Sequence, residues 1–324
     1  MSGAPRMSRT FVTGIEGFAG LHLCAALDRA GHEVSGLHLA PVPADLPARL
    51  LQGDIRDFDL LKQALEEVRP DAVIHLAAVS SVAESENQLL GTFDINASGT
   101  LKLLEAVRGT VPKARILLVS SADVYGQPES EAPRTEESPA NPLSAYAMTK
   151  LAAEEIGRFF QRVHGLDIVI LRPFSHTGPG QNPKFVFPSV ARRIVEIERA
   201  AENTPALADE ERTIELGNVD VRRDYTDVRD ICQAYLLALE RCRCGETYNV
   251  TSGRTISIRQ GVEMLIKMAK TQVSYRSVPR KLRPHDILLS AGSDKKFKAA
   301  TGWNPLIPLE TTFSDLLNSY RQVR

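Results

Sequence analysis

The sequence carries almost no net charge. Its 39 Lys and Arg stand against 40 Asp and Glu, leaving −1 at pH 7. A chain without a basic excess lacks the field that draws nucleic acid or an anionic membrane surface, so neither is expected as a partner. No apolar run approaches the length of a membrane span, and the first ten residues lack the apolar core of a signal peptide. Cysteine is scarce: Cys24, Cys232, Cys242 and Cys244. Cys242 and Cys244 flank a single residue, too few ligands and too close together for a zinc site, so no metal is expected. These absences leave the cytoplasm, with reduced thiols. Internal repeats and low-complexity tracts are also missing. The remainder is an ordinary globular composition, 43% hydrophobic and 24% charged over 324 residues, enough for one large or two modest domains.

Residues 9–13 read as a buried strand, 17–30 as a helix closed by Gly31, and 33–39 as a second strand. Further strands within 69–76 and at 116–120 and 167–171 alternate with helices over 60–68, 95–107 and 146–163. Strands that are apolar throughout, alternating with helices, predict an α/β fold, a Rossmann-type doubly wound parallel sheet covered on both faces. Past residue 172 the rhythm breaks. Pro and Gly cluster over 173–188, helices are expected at 192–201, 228–240 and 309–320, and strands at 212–216 and 247–250. The stretch 282–303 reads as mostly irregular. The expected organisation is a disordered lead-in at 1–7 and a first domain at 8–172 with a return segment at 222–250. A smaller, discontinuous α/β lobe would come from 173–221 and 251–324.

Thr13-Gly14-Ile15-Glu16-Gly17-Phe18-Ala19-Gly20 joins the first strand to the first helix. Glycines at 14, 17 and 20 let the backbone approach a pyrophosphate, which then meets the amides and positive end of the helix. Three glycines alone would equally suit tight turns. The strand before and the helix after make a dinucleotide site the better reading. Cofactor choice turns on the end of the second strand, where an acid would hold the adenosine ribose diol and repel a 2′-phosphate. His38 stands there instead. Its lack of charge favours NADP(H). No arginine stands beside it to bind the phosphate, so NAD(H) stays open.

Ser120-Ser121-Ala122-Asp123-Val124-Tyr125-Gly126 closes the fourth strand, and Tyr146-Ala-Met-Thr-Lys150 lies on a helix. The Tyr–Lys spacing puts both on one helical face. A phenol has a pKa near 10 and works as an acid or base at neutral pH only beside a stabilising cation. Lys150 can supply that charge, and Ser121 can hydrogen-bond the reacting oxygen. Tyr and Lys alone would be a surface pair; the glycine loop and the serine at a strand end give them chemistry.

These motifs resemble the short-chain dehydrogenase/reductase superfamily, with its T-G-x-x-G-x-x-G loop and its Ser, Tyr and Lys catalytic set. The resemblance implies cofactor contacts for Gly14, Gly17, Phe18, Gly20, Tyr146 and Lys150. Gly53-Asp54-Ile55-Arg56-Asp57 resembles its adenine loop, which implicates Asp54 and Ile55. Leu76, Ala77 and Ala78 resemble the stretch beneath the cofactor, and Asn96 matches its N-x-x-G-T helix. Standing alone, Asp54 and Asn96 would read as a turn or a helix cap.

The chain is most similar to the extended, nucleotide-sugar branch, and within it to GDP-4-keto-6-deoxy-D-mannose reductases. Arg172-Pro-Phe-Ser-His-Thr-Gly-Pro-Gly-Gln181 resembles that family's R-P-F-N-H-T-G-P-G-Q, and 222–230 its R-R-D-[FY]-T-D-V-R-D. Leu282-Arg-Pro-x-Asp286, with Asp294 and Thr301-Gly-Trp303, resembles its C-terminal lobe. The resemblance implies a GDP-linked sugar substrate, C4 keto reduction toward GDP-D-rhamnose or a close relative, and a homodimer built on helices 95–107 and 146–163. It implicates Ser175, His176, Arg223, Arg283 and Asp286 in substrate binding; the two arginines would hold the pyrophosphate. His176 equally suits a satisfied loop histidine, and Trp303 a core residue.

Two departures bear on the reaction. Related dehydratases place a Glu after their catalytic Thr and one intervening residue. Here Ser121, Ala122 and the shorter Asp123 fill those positions, and elimination needs a base that reaches its carbon. Ser175 replaces the family's Asn, which touches the identity of the sugar. The competing readings are a dehydratase or C4 epimerase that returns the hydride to its substrate, and a non-catalytic cofactor-sensing scaffold, against which Ser121, Tyr146 and Lys150 speak.

Overall fold

The computed structural model describes residues 8–203, 207–279 and 287–322. The expected lead-in at 1–7 lies outside them. The strands are β1 (Arg9–Thr13), β2 (Glu33–His38), β3 (Arg49–Gln52), β4 (Ala72–His75), β5 (Arg115–Val119), β6 (Ile168–Pro173), β7 (Ser175–Thr177), β8 (Thr213–Leu216), β9 (Arg222–Asp227), β10 (Thr247–Val250), β11 (Thr255–Ser257), β12 (Ser274–Ser277) and β13 (Leu289–Ser290). The helices are α1 (Phe18–Arg29), α2 (Phe58–Val68), α3 (Val82–Asn87), α4 (Leu89–Phe93), α5 (Gly99–Thr110), α6 (Ala145–His164), α7 (Val186–Asn203), α8 (Val228–Arg241), α9 (Ile258–Lys267), α10 (Lys295–Thr301) and α11 (Leu309–Gln322).

Seven strands form one sheet in the order β3-β2-β1-β4-β5-β6-β10, every neighbouring pair parallel. Alternation along each strand feeds two cores. Phe11, Val73, Ile116 and Leu118 join one with Leu61, Leu65, Leu103, Val107 and Phe160 of α2, α5 and α6. Val12, Ile74, Leu117 and Val169 join the other with Leu23 and Leu27 of α1, Ile231 and Tyr235 of α8, and Phe297 and Trp303. Both faces are thus covered, as a parallel sheet of apolar strands requires. Order reverses between β1 and β4, and a ligand crevice is expected at the carboxyl ends of strands there.

A third core lies in the second lobe. Phe187, Val190, Ile194, Val262, Leu265, Phe313 and Leu316 join α7, α9 and α11 over the β8–β12 pair. β9 pairs with β7, β11 and β13 outside the large sheet. The chain re-enters the first lobe with α8 and returns to its sheet at β10. Among the described residues no helix is long and apolar enough to cross a membrane.

Several elements form where none was expected, among them α3, α4, β7, β9, β11, α9, β12 and β13, and three further differences have a plain physical reason. β3 is a four-residue edge strand, its residues only half-buried or exposed, too short and too polar to stand out. α7 begins at Val186 rather than at 192. Pro188 falls in its first turn, where a missing N–H costs no intrahelical bond. α10 forms inside the stretch read as irregular, anchored by the fully buried Phe297 and closed by Gly302 in the left-handed region.

Candidate active site

One cleft of about 670 Å³ runs along the carboxyl ends of the large sheet and under the second lobe. The glycine loop forms one wall. Its register is fixed by parallel pairing of Thr13 with Leu37 and by Gly14 and Ile15 N–H groups donating to the Leu37 carbonyl. Gly14 has φ +71°, and a Cβ there would lie 2.8 Å from the Ala77 backbone; one on Gly20 would lie 2.6 Å from the Gly14 and Ile15 carbonyls. Gly17 caps α1 without any side-chain hydrogen bond, so the first amides of that helix keep no internal partner. A glycine-tight turn opening on an uncapped helix start fits a dinucleotide pyrophosphate.

Most of the residues singled out in the sequence meet here. Gly14, Gly17, Phe18, Gly20, Asp54, Ile55, Leu76, Ala77, Ala78, Ser121, Asp123, Tyr146, Lys150, Ser175 and His176 all line the cleft. Three others do not. His38 turns away between Leu37 and Leu39, which line it, and its Nδ1 lies 3.0 Å from the Ala40 carbonyl. Asn96 is buried in a π-helical turn at Asp94–Ser98. Its side chain accepts from Val79 N–H at 2.8 Å and donates to the Val79 carbonyl and to Thr149 Oγ1, tying the strand-end loop to α6. Arg223, on β9, donates to the Ile287 carbonyl. Arg283 and Asp286 lie outside the described residues.

The reacting end is built on β5 and α6. Ser144 caps α6 through Ala147 N–H, while Glu86 and Ser85 of α3 accept from the Ala145 and Tyr146 amides. Those caps fix the first turn and therefore Tyr146. One turn on, Lys150 is buried, and one turn further Glu154 is fully buried. Glu154 accepts from Ser120 Oγ at 2.5 Å and from Arg172 Nε and Nη2 at 2.8 and 2.6 Å, and Arg158 also reaches it. Arg172 donates further to Tyr125 Oη, which donates to Asn249. The network clamps β5, β6, β10 and α6 directly behind Ser121.

Electrostatics follow from this burial. Burial pushes the Tyr146 phenol up, the Asp123 charge pushes it further, and the Ser121 hydroxyl opposes. Burial drives Lys150 down to about 8 against the opposing charge of Glu154. Burial alone would raise Glu154, but the Arg172 hydrogen bonds and charge override it and hold the carboxyl below its ordinary value. His75, pushed to about 3 by burial and then by the Lys150 charge, is a neutral ring bridging Thr13 and Thr100 at 2.7 and 2.9 Å. On the second lobe, the ring of His176 stacks on Phe18 with centroids 6.0 Å apart. Gln181 closes that loop through Thr177 and the His176 carbonyl.

Glu16, Ser120, Glu154 and Arg172 escaped the reading of the sequence as site residues. The i, i+4, i+8 spacing of Tyr146, Lys150 and Glu154 was the available signal.

Residues 11–316 match the family model described as GDP-mannose 4,6 dehydratase. GDP-6-deoxy-D-mannose reductase of Pseudomonas aeruginosa is 35% identical over 96% of this chain and 97% of its own length. The solved structure of RMD from Pseudomonas aeruginosa complexed with NADPH superposes with a TM-score of 0.84 at 35% identity, over 97% of this chain and 99% of that one. The Thermus thermophilus UDP-glucose 4-epimerase complex with NAD gives 0.85 at 28% identity, over 98% and 100% of the two chains.

Proposed function

The chain belongs to the GDP-mannose 4,6-dehydratase family, and from that premise we propose that it reduces the C4 keto group of a GDP-4-keto-6-deoxy sugar. The product would be GDP-D-rhamnose or a close relative, and the cofactor NADP(H) or NAD(H), since relatives are solved with each. The bound nicotinamide supplies the hydride. Tyr146 gives the proton to the C4 oxygen, and Ser121 donates a hydrogen bond to that oxygen. Lys150, one turn from Tyr146, carries the charge that steadies the phenolate left behind. One observation carries the reading: Ser121, Tyr146 and Lys150 line one cleft with the glycine loop, and the shorter Asp123 stands in that lining where a dehydratase carries Glu.

The remaining cleft residues take roles under the same reading. Gly14, Gly17, Phe18 and Gly20 cradle the pyrophosphate, Asp54 and Ile55 flank the adenine, and Leu76 to Ala78 lie beneath the cofactor. Ser175 and His176 face the sugar, while the family resemblance alone assigns Arg223 and Arg283 to its pyrophosphate and Asp286 to substrate binding. Residues 8–172 with the return at α8 and β10 form the cofactor domain, and the rest the substrate lobe. Phe93, Leu101, Met148, Phe159 and Val163 are exposed on the α4–α6 side, an apolar surface suited to pairing with a second copy. Four cysteines without a disulfide accord with the cytoplasm.

The deciding experiment mixes the protein with GDP-4-keto-6-deoxymannose and NADPH or NADH. Absorbance of the reduced nicotinamide should fall by one equivalent per product formed. Substrate turnover without cofactor loss would sink the reductase reading. It would favour a dehydratase or epimerase, for which Asp123 in the cleft lining is the candidate base.

A further inference from the structure

We infer that Glu16, inside the glycine loop, reads the 2′ position of the cofactor's adenosine ribose and disfavours a 2′-phosphate. The inference rests on the reading of the cleft as a nicotinamide dinucleotide site. In such sites the adenosine ribose meets the end of the second strand. The residue on that strand expected to read it, His38, faces Ala40 and does not line the cleft. An acid arrives at the same place from the neighbouring loop. Glu16 lines the cleft together with Leu37, Leu39, Gly53 and Asp54, and its Oε1 accepts from the Leu39 N–H at 3.0 Å, just past the end of β2.

The setting makes this charge count. Glu16 Oε2 is shut off from water and has no hydrogen-bond partner among the described residues, so the carboxyl group is short of donors. A small rotation would let a ribose hydroxyl donate to it. A phosphate in that place would bring negative charge against negative charge. No cationic side chain of the lining offsets the repulsion there: among the described residues Lys150 is the one Lys or Arg lining the cleft, and it sits at the reacting end. Arg56, within the stretch that resembles the adenine loop, is already paired with Asp54 at 2.7 Å and Asp94 at 3.5 Å. The acid missing from the end of β2 is thus supplied by the loop, and it shifts the balance between the two cofactors toward NAD(H).

The test is fluorescence titration of NADPH and NADH against the wild type, Glu16→Gln and Glu16→Ser, with no substrate present. Glutamine keeps the acceptor for Leu39 N–H and loses the charge; serine serves if glutamine does not fold. The ratio of NADPH to NADH affinity should rise about tenfold in either variant, the scale of one partly screened charge pair. A folded variant that binds both cofactors at the wild-type ratio overturns the role of Glu16 and leaves the cofactor site standing. A wild type that binds neither cofactor overturns the dinucleotide reading and this inference with it.

Discussion

At the reacting end of the cleft charge is buried and paired, whereas at the adenosine end it is loop-borne and half exposed. Glu154 and Arg172 are shielded from water and joined by two hydrogen bonds, and Ser120 donates a third to Glu154, behind Ser121. Asp54 and Arg56 form a similar fork, yet both side chains remain partly open to solvent. The difference separates two jobs. Holding a phenol, an ammonium and a hydroxyl in register needs a stiff frame. Choosing between two nucleotides needs only a charge in the right place.

The largest effect should come from the reacting end. Tyr146→Phe keeps the ring and removes the proton donor, so kcat should fall by roughly 10²–10⁴-fold while NADPH or NADH affinity stays at the wild-type value. Near-normal turnover would take Tyr146 out of the mechanism. Stability should follow the same contrast. Glu154→Ala leaves Arg172 buried without its partner, a loss of about 3–5 kcal/mol. Asp54→Ala breaks an exposed pair and should cost no more than about 1 kcal/mol. Urea unfolding of the two variants compares them directly, and equal losses would erase the distinction.

The pH dependence sharpens the comparison further. Lys150 titrates at about 8 in the fold, below its ordinary 10.5. The folded state therefore releases this proton first. Burying the ammonium opposes folding in full below about pH 8, and that opposition fades as pH climbs toward 10.5. Activity runs the other way, because the charge that steadies the Tyr146 phenolate disappears over the same window. A falling limb in kcat/KM is expected above about pH 8. Glu154 holds Lys150 up, so Glu154→Gln should draw that limb toward neutrality. A limb that stays in place would separate Glu154 from the electrostatics of the site.

What the sequence made legible divides along similar lines. The glycine loop and the Tyr146–Lys150 pair depend on local spacing, and spacing is written in the chain. The buried network was not legible, because Glu154 on a helix rich in Glu and Arg looks like a solvated face. Only the fold brings Arg172 of β6 and Ser120, just past β5, onto it. His38 shows the reverse case. Counting along β2 puts it at the ribose, but strand alternation turns its side chain away while a loop residue 22 positions earlier reaches in. β3 escaped for want of length, and α7 started early because proline is harmless in a first turn.

The smallest effect on chemistry, and the most direct on assembly, concerns the outer face of α6. A helix that covers one side of a sheet needs a single apolar stripe, and Phe160 supplies it, buried against Leu118 and Ile168 in the first-lobe core. Phe160→Asp would therefore damage the fold and says nothing about pairing. Val163, 60% exposed, and Phe159, 46% exposed, lie off that stripe, and Leu101 of α5 and Met148 at the start of α6 are exposed on the same two helices. Val163→Asp should change monomer stability by no more than about 0.5 kcal/mol, as for an ordinary surface site. In a dimer seamed by α5 and α6 it would set two carboxylates into an apolar contact and drive the chains apart. Sedimentation at micromolar concentration should give a dimer for the wild type and a monomer for Val163→Asp, with kcat little altered because the cleft lies at the strand ends. A wild-type monomer would sink the proposed assembly. A dimer untouched by both Val163→Asp and Phe159→Asp would keep the assembly and move its seam to another face.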